Sequence, residues 1–159
     1  MEKKNNTNLD AVINEVGFEI AKLPDIDKTE INKLLGILAM DGVYAMWVYL
    51  LSKSTSKAGK LLLQIEKFKN YIPELEISEL EISELEKHSK DFKEVNNEAL
   101  EEIEAETSKR NNELSKKISD IIHNIFANLS KNLHNLLFFK EIMERTLIYA
   151  RYHTKAMGV

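Results

Sequence analysis

Apolar residues along this chain recur mainly at intervals of three and four, the spacing that places them on one side of an α-helix. The first stripe predicts a helix that Asn8 caps and that runs to about Lys22, before Pro24. Asp27 and Glu30 have capping-box spacing and predict the start of a second helix. The two stripes consist of Leu9, Val12, Ile13, Val16 and Ile20, followed by Ile31, Leu34, Leu35 and Leu38.

Segment 34–51 is nearly all apolar, so it raises the question of a membrane span. As a helix it is roughly 27 Å long, slightly less than the hydrocarbon thickness of a bilayer. Asp41 lies near its middle, where a carboxylate opposes insertion, and Asp41-Gly42 is also a turn dipeptide. We therefore expect two buried helices that meet at a bend, with Asp41 capping the second. A small membrane-associated protein inserted through 34–51 is the alternative.

Four further helical stretches are predicted beyond the bend. Polar residues at 52–56 supply a cap for a helix that continues to about Tyr71. Helical spacing resumes over 92–103, and a strongly amphipathic helix follows after a polar loop at 107–112. Ser130 is expected to cap a last helix that reaches almost to the end of the sequence. One continuous helix through Ser130 is the alternative.

A tandem repeat lies between these helices, with Glu-Leu-Glu-Ile-Ser at 74–78 and again at 79–83. Its apolar residues are spaced alternately by two and by three positions. This spacing gives neither a helix nor a strand a sustained apolar face. We therefore predict an acidic insertion at about 73–90 that is flexible or weakly helical and lies outside the core. An edge strand or a partner-docking segment is the alternative.

Composition agrees with this helical pattern. A chain of 159 residues, 43% of them hydrophobic, suffices for one compact domain with a substantial core. Five glycines and two prolines leave few turn-forming residues for an all-β architecture. The sequence thus predicts an all-α fold, a single-domain helical bundle of about six to seven helices over 1–159. Cysteine is absent, which excludes disulfides, and residues 1–9 carry no signal-peptide core, so we expect a cytoplasmic location.

Residues with catalytic potential do not form a recognisable arrangement in the sequence. The four histidines include no i, i+4 metal pair, the glycines form no phosphate-binding loop, and no serine lies in a nucleophile elbow. We therefore predict that the protein is not an enzyme and has no metal or cofactor. An acid–base role is the alternative for Asp41. Tyr44, Trp47 and Tyr49 are expected in the core, with a docking face as the alternative.

Charge is segregated along the chain, although the net charge is only −4. Residues 73–106 include 13 acidic and 3 basic side chains, whereas residues 107–159 include 4 acidic and 9 basic ones. Such asymmetry is found in proteins that turn one surface toward a polyanion, and it is also found on ordinary solvated helix faces. Charge alone therefore leaves both interpretations open.

Two segments resemble the small helical subunit of the type III-B CRISPR effector, the Cmr complex. Residues 41–53, Asp-Gly-Val-Tyr-Ala-Met-Trp-Val-Tyr-Leu-Leu-Ser-Lys, resemble the Asn-Gly-Leu turn of that family and the apolar helix after it. Residues 140–157 begin with Lys-Glu-Ile and resemble its final helix, with Tyr152 in place of a second Arg and His153 in place of Phe. The related small subunit of type III-A (Csm) complexes is the alternative within this resemblance.

The resemblance implies a non-catalytic subunit of an RNA-guided effector. Its expected partners are the larger backbone subunits, further copies of itself, and the guide and target RNA, with no membrane. A basic face would then lie along a phosphate backbone, which positions RNA without reading its sequence. Solvated charges are the alternative for each of its residues, and so is a helical adaptor or oligomerisation module without nucleic acid. The predicted nucleic-acid-binding residues are Lys53, Lys57, Lys60, Arg145, Arg151 and Lys155.

Overall fold

The computed structural model describes the backbone of residues 8–91 and 100–158, and the side chains of 8–87 and 109–158. Within these ranges every regular element is helical, which confirms the predicted all-α fold. Two short 3₁₀ turns, Glu66–Phe68 and Pro73–Leu75, join longer helices. The α-helices of the described ranges are α1 (Leu9–Ala21), α2 (Lys28–Asp41), α3 (Val43–Lys53), α4 (Thr55–Ile65), α5 (Glu79–Asp91), α6 (Leu100–Leu129) and α7 (Leu133–Ala156).

The fold is organised around α7, which α1 and α2 flank. Helix α1 runs in the same direction as α7 and forms the most extensive helix–helix contact of the described residues. Helix α2 runs in the opposite direction, since Asp27 lies near the end of α7 and Gly42 near its start. A Cβ atom at Gly17 would lie 3.0 Å from the Thr146 carbonyl oxygen, so α1 approaches the backbone of α7 closely.

A group of aromatic rings fills the core where α3, α6 and α7 meet. The Trp47 ring lies 5.7 Å from that of Phe126, which in turn lies 6.2 Å from that of Phe139. Trp47 is buried, as its helical spacing predicted, whereas Tyr44 is partly exposed at the edge of this group. The Tyr44 hydroxyl donates a hydrogen bond of 2.8 Å to the Phe126 carbonyl oxygen, which fixes its position.

The predicted helix starts at Asn8 and Asp27 are confirmed. The Asn8 side chain accepts a hydrogen bond from the amide of Asp10, and the Asp27 side chain accepts one from the amide of Glu30. These caps satisfy amides that have no partner within their own helix.

The predicted bend is confirmed at Gly42, which separates α2 from α3 with a φ of 96°. The expected role of Asp41 is wrong, because Gly42 occupies the cap position of α3 and no side chain caps that helix. Asp41 is exposed, which also removes the buried environment on which an acid–base role depended. Across the described residues, none of the helices has the length and apolar character that a membrane span requires.

Helix α4 is shorter than predicted. Ser54 caps it, with its hydroxyl accepting a hydrogen bond from the amide of Lys57, in agreement with the predicted new start. The regular helix ends at Ile65 rather than near Tyr71, and the chain tightens into a 3₁₀ turn. Ile72 precedes a proline, which disfavours helical geometry, and its backbone is extended.

The two copies of the acidic repeat adopt different conformations. In the first copy, Leu75 ends a 3₁₀ turn and Ile77 lies in the irregular stretch after it, and both are buried. The second copy forms the first turns of α5, where Leu80 is 72% exposed and Ile82 packs against the core. Identical five-residue sequences therefore have different structures because their surroundings differ.

The prediction that this repeat lies outside the core is wrong. In the first copy the chain leaves the 3₁₀ turn through an extended Glu76, and Leu75 and Ile77 both point into the core, whereas α5 turns Ile82 and Leu85 inward at helical spacing. Lys117 of α6 also forms an ion pair of 3.1 Å with Glu84. The first copy is not an α-helix and the second copy is one. Because of this difference both copies bury apolar residues, although one continuous helix or strand over the whole repeat would not.

Helix α6 continues through the predicted polar loop at 107–112, so that loop is wrong. Lys109 and Arg110 are exposed, and the segment is helical although its Thr, Ser and Asn residues are weaker helix formers, because it extends a helix that is formed on both sides of it. Of the predicted helix over 92–103, residues 92–99 lie outside the described residues. The break between α6 and α7 is confirmed, but Asn132 rather than Ser130 caps α7, by accepting from the amide of Asn135.

Candidate nucleic-acid interface

The second half of α7 carries cations interleaved with aromatic residues. Residues 145–158 include three of the predicted site residues, Arg145, Arg151 and Lys155, and no carboxylate. Arg145, Tyr149, Tyr152 and Lys155 are spaced by four, three and three positions, which places them along one side of the helix. We call these four residues together with Arg151 the α7 stripe.

The stripe combines accessible rings with positive charge. The Tyr152 side chain is 60% exposed, and the Arg151 guanidinium lies 5.7 Å from the centre of its ring. Lys155 is exposed in the last turn of α7, where a cation interacts favourably with the helix dipole. Exposed aromatic rings beside cations are the side chains that hold single-stranded nucleic acid through stacking and phosphate contacts.

Helix α1 extends this surface, because it lies beside α7. The ring of Phe18 contacts His153 edge-on at 5.2 Å, and the ammonium of Lys22 lies 4.5 Å from the centre of the Phe18 ring. His153 also hydrogen-bonds to the Asn14 side chain at 2.9 Å. Lys22 in turn pairs with Glu19 at 2.9 Å, so part of the positive charge is balanced within α1.

Arg145 differs from the rest of the stripe, because it forms an ion pair with Asp10 at the start of α1. This pair helps to hold α1 in register with α7. Both side chains are partly solvated, so the pair contributes little to stability, about 0–1 kcal/mol. A phosphate would have to share the Arg145 guanidinium with this carboxylate.

The other three predicted residues, Lys53, Lys57 and Lys60, lie on α3 and α4. The Lys53 ammonium lies 5.7 Å from the centre of the Tyr49 ring. Lys60 forms an ion pair with Asp25, and only 15% of its side chain is exposed. Asp25 belongs to the connection between α1 and α2, which borders the end of α7. Lys60 is therefore the member of this second set that the fold brings toward the α7 stripe.

Sequence reasoning found the cations of this surface but not its aromatic members. Tyr152 was interpreted as the loss of an arginine, yet its exposure places a ring where it can contact a ligand. Tyr149 and Phe18 are also more than a third exposed. The spacing of the tyrosines between basic residues in α7 could have indicated these rings from the sequence. The position of Phe18 beside α7 could not, because it depends on how α1 packs.

A second surface lies around the bend between α2 and α3. A shallow groove of about 200 Å³ separates the bend from the first turns of α7, and Tyr44 and Leu137 both line it. Val48 and Leu133 continue its two walls by one helical turn each, and Met40 lies next to the bend in sequence. We call the five exposed apolar residues Met40, Tyr44, Val48, Leu133 and Leu137 the bend patch.

No protein-family model, curated protein or solved structure matches this chain. The two segments that resemble the CRISPR small subunits, 41–53 and 140–157, approach each other at their first residues. Residues 41–44 line the groove of the bend patch on one side, and Lys140 lines it on the other. In the part of the chain whose side chains are described, no three His, Asp or Glu residues are grouped to hold a metal ion.

Proposed function

We propose that this protein is a non-catalytic small subunit of a type III CRISPR RNA-guided effector complex. The observation that carries the proposal is the α7 stripe, with three cations, two partly exposed tyrosines and no carboxylate over 145–158. The resemblance of 140–157 to the final helix of the Cmr small subunit concerns this same helix and supports the proposal. The type III-B (Cmr) assignment is preferred over type III-A (Csm).

In this role the protein provides a binding surface and catalyses no reaction. Arg151 and Lys155 bind phosphate groups, and neutralising those phosphates releases counterions, so the affinity depends strongly on salt. Such contacts position RNA without reading its bases. The other faces of the bundle pack against backbone subunits and against further copies of the protein, beside the guide and target RNA in the cytoplasm. Any cleavage then belongs to other subunits.

Reversing the charge of Lys53, Arg151 and Lys155 is expected to weaken RNA binding. For the full chain with mixed-sequence single-stranded RNA, we expect the slope of log affinity against log salt to fall by about 2. Filter binding or fluorescence anisotropy over a salt series measures this slope. The matched control reverses Lys33, Lys109 and Lys116, which are exposed elsewhere, and leaves the slope near that of the wild type. An equal slope for both triple variants contradicts the proposed interface.

The bend patch favours a second candidate function, a helical adaptor or oligomerisation module without nucleic acid. Exposed, clustered apolar side chains are typical of protein interaction sites. Affinity purification from native cells separates the two candidates. A CRISPR subunit is expected to bring guide RNA and large ribonucleoprotein subunits with it, in amounts that the Arg151 and Lys155 reversals reduce. Recovery of protein partners without RNA supports the adaptor.

A further inference from the structure

The apolar side chains of the bend patch are largely exposed to solvent. Met40 is 85% exposed and Leu133 is 67% exposed, and Val48 and Leu137 are each more than half exposed. Single exposed apolar residues are ordinary, but contiguous ones on a folded monomer mark a site of association. Tyr44 and Leu137 line the groove, Val48 and Leu133 lie one helical turn away on the same two helices, and Met40 lies two residues before Gly42. The five exposed side chains are therefore grouped around the bend.

The patch is held rigidly. Gly42 ends α2 with a positive φ and lets α3 leave at an angle that turns Tyr44 and Val48 outward. The hydroxyl of Tyr44 is tied to α6 through Phe126, and the Tyr44 ring packs edge-on against the Phe126 ring at 5.1 Å. On the facing wall, Asn132 caps α7 and fixes its first turns. Little conformational freedom is therefore lost when a partner covers the patch.

Charges of both signs border the groove. Asp41 lies on the wall formed by the bend, and Lys140 lies on the wall formed by α7. Glu141, one turn beyond Leu137, is a further exposed carboxylate at this edge. A rim of one sign would repel a second copy of the same surface. A rim of both signs is complementary to itself when a two-fold axis exchanges the two walls.

We propose that the bend patch is a self-association surface, which a second copy of this chain covers through a two-fold contact. Leu133, Leu137 and Met40 of one copy then pack against the groove of the other. Asp41 of each copy faces Lys140 of its partner, so the same ion pair forms twice. The inference deepens the second candidate function, the oligomerisation module, and rests on it; it does not depend on RNA binding, because no part of the α7 stripe takes part in it.

Sedimentation velocity of the full chain without RNA, over a range of concentrations, tests the proposal. The wild type is expected to shift from monomer to dimer as concentration rises. Asp41→Lys and Lys140→Glu each place like charges opposite one another twice, and each is expected to raise the dissociation constant at least about tenfold. A mixture of the two variants is expected to restore a dimer, because every altered charge then meets an opposite one.

A matched pair of apolar variants checks the patch itself. Leu137→Ser is expected to prevent association, whereas Leu80→Ser, which removes an even more exposed leucine on α5, is expected to leave it unchanged. Thermal unfolding of each variant shows whether the fold is intact. The inference is overturned if the wild type stays monomeric at all concentrations, if both leucine variants behave alike, or if the mixed variants form species larger than dimers. RNA binding decides the proposed function separately.

Discussion

Replacing Trp47 by alanine is expected to lower the free energy of unfolding by about 3–5 kcal/mol, the range for large aromatic residues removed from a core. Trp47 is buried and packs against Phe126, which itself contacts Phe139, so its ring links α3 to α6 and α7. The surrounding helices relax only partly into the space that the indole leaves. Denaturant unfolding followed by circular dichroism measures the loss.

The matched variant Trp47→Phe separates ring packing from the polar part of the indole. The Trp47 Nε1 atom is buried and has no hydrogen-bond partner among the described residues. Phenylalanine removes that unsatisfied donor while keeping an aromatic ring, so we expect a loss below about 1.5 kcal/mol. A loss as large as that of Trp47→Ala contradicts this account and indicates that the Nε1 atom has a partner in solution.

Replacing Gly17 by alanine is expected to destabilise the protein by about 2 kcal/mol, although alanine is the better helix former. The added Cβ would lie 2.9 Å from the Cβ of Tyr149, 3.0 Å from the Thr146 carbonyl oxygen and 3.1 Å from the Ala150 amide nitrogen. Two of these three atoms belong to the backbone of α7, and no rotation of a side chain removes the clash. Helices α1 and α7 must therefore move apart.

Gly36 provides the control for this effect. It lies within α2, and a Cβ atom there would meet no other atom within 4 Å. Gly36→Ala is therefore expected to stabilise the protein by about 0.5–1 kcal/mol through helix propensity alone. Denaturant midpoints of the two variants give the comparison. If both glycine variants shift stability in the same direction, the close approach of α1 to α7 does not exist in solution.

The elements that could be predicted from sequence are those whose signals are local. The caps at Asn8 and Asp27 lie within three residues of the amides that they satisfy, and Gly42 follows directly from a turn dipeptide. The apolar side of α1 could be predicted from the spacing of its apolar residues alone. These features depend on neighbouring residues in the chain, so they can be predicted without knowledge of the tertiary contacts.

The predictions that failed involve residues whose structure depends on distant parts of the chain. The two copies of the acidic repeat have one sequence and two conformations, so no local rule assigns both. The polar stretch at 107–112 resembles a loop because it has no apolar stripe, but it lies within the long helix α6. Asp41 does not cap α3, because the next residue, Gly42, takes the cap position. The sequence around Asp41 did not indicate which of the two residues would do so.

The candidate interface was predicted in part for the same reason. Basic residues can be identified directly from a sequence, so Arg151 and Lys155 could be predicted as members of the interface. The pairing of Lys60 with Asp25 and of Arg145 with Asp10 joins residues that are 35 and 135 positions apart, and only the fold shows it. The six predicted basic residues therefore differ in how available they are to phosphate. Arg151 and Lys155 are in the positions best suited to bind it.

The contact between α1 and α7 has a consequence for how the chain folds. His153 meets Asn14 across 139 residues, so a further 139 residues must be synthesised after Asn14 before this contact between the two helices can form. Until then the side of α1 that packs against α7, which includes Gly17, has no cover. Contacts so distant in sequence slow the search for the native state and lengthen the time during which aggregation competes with it.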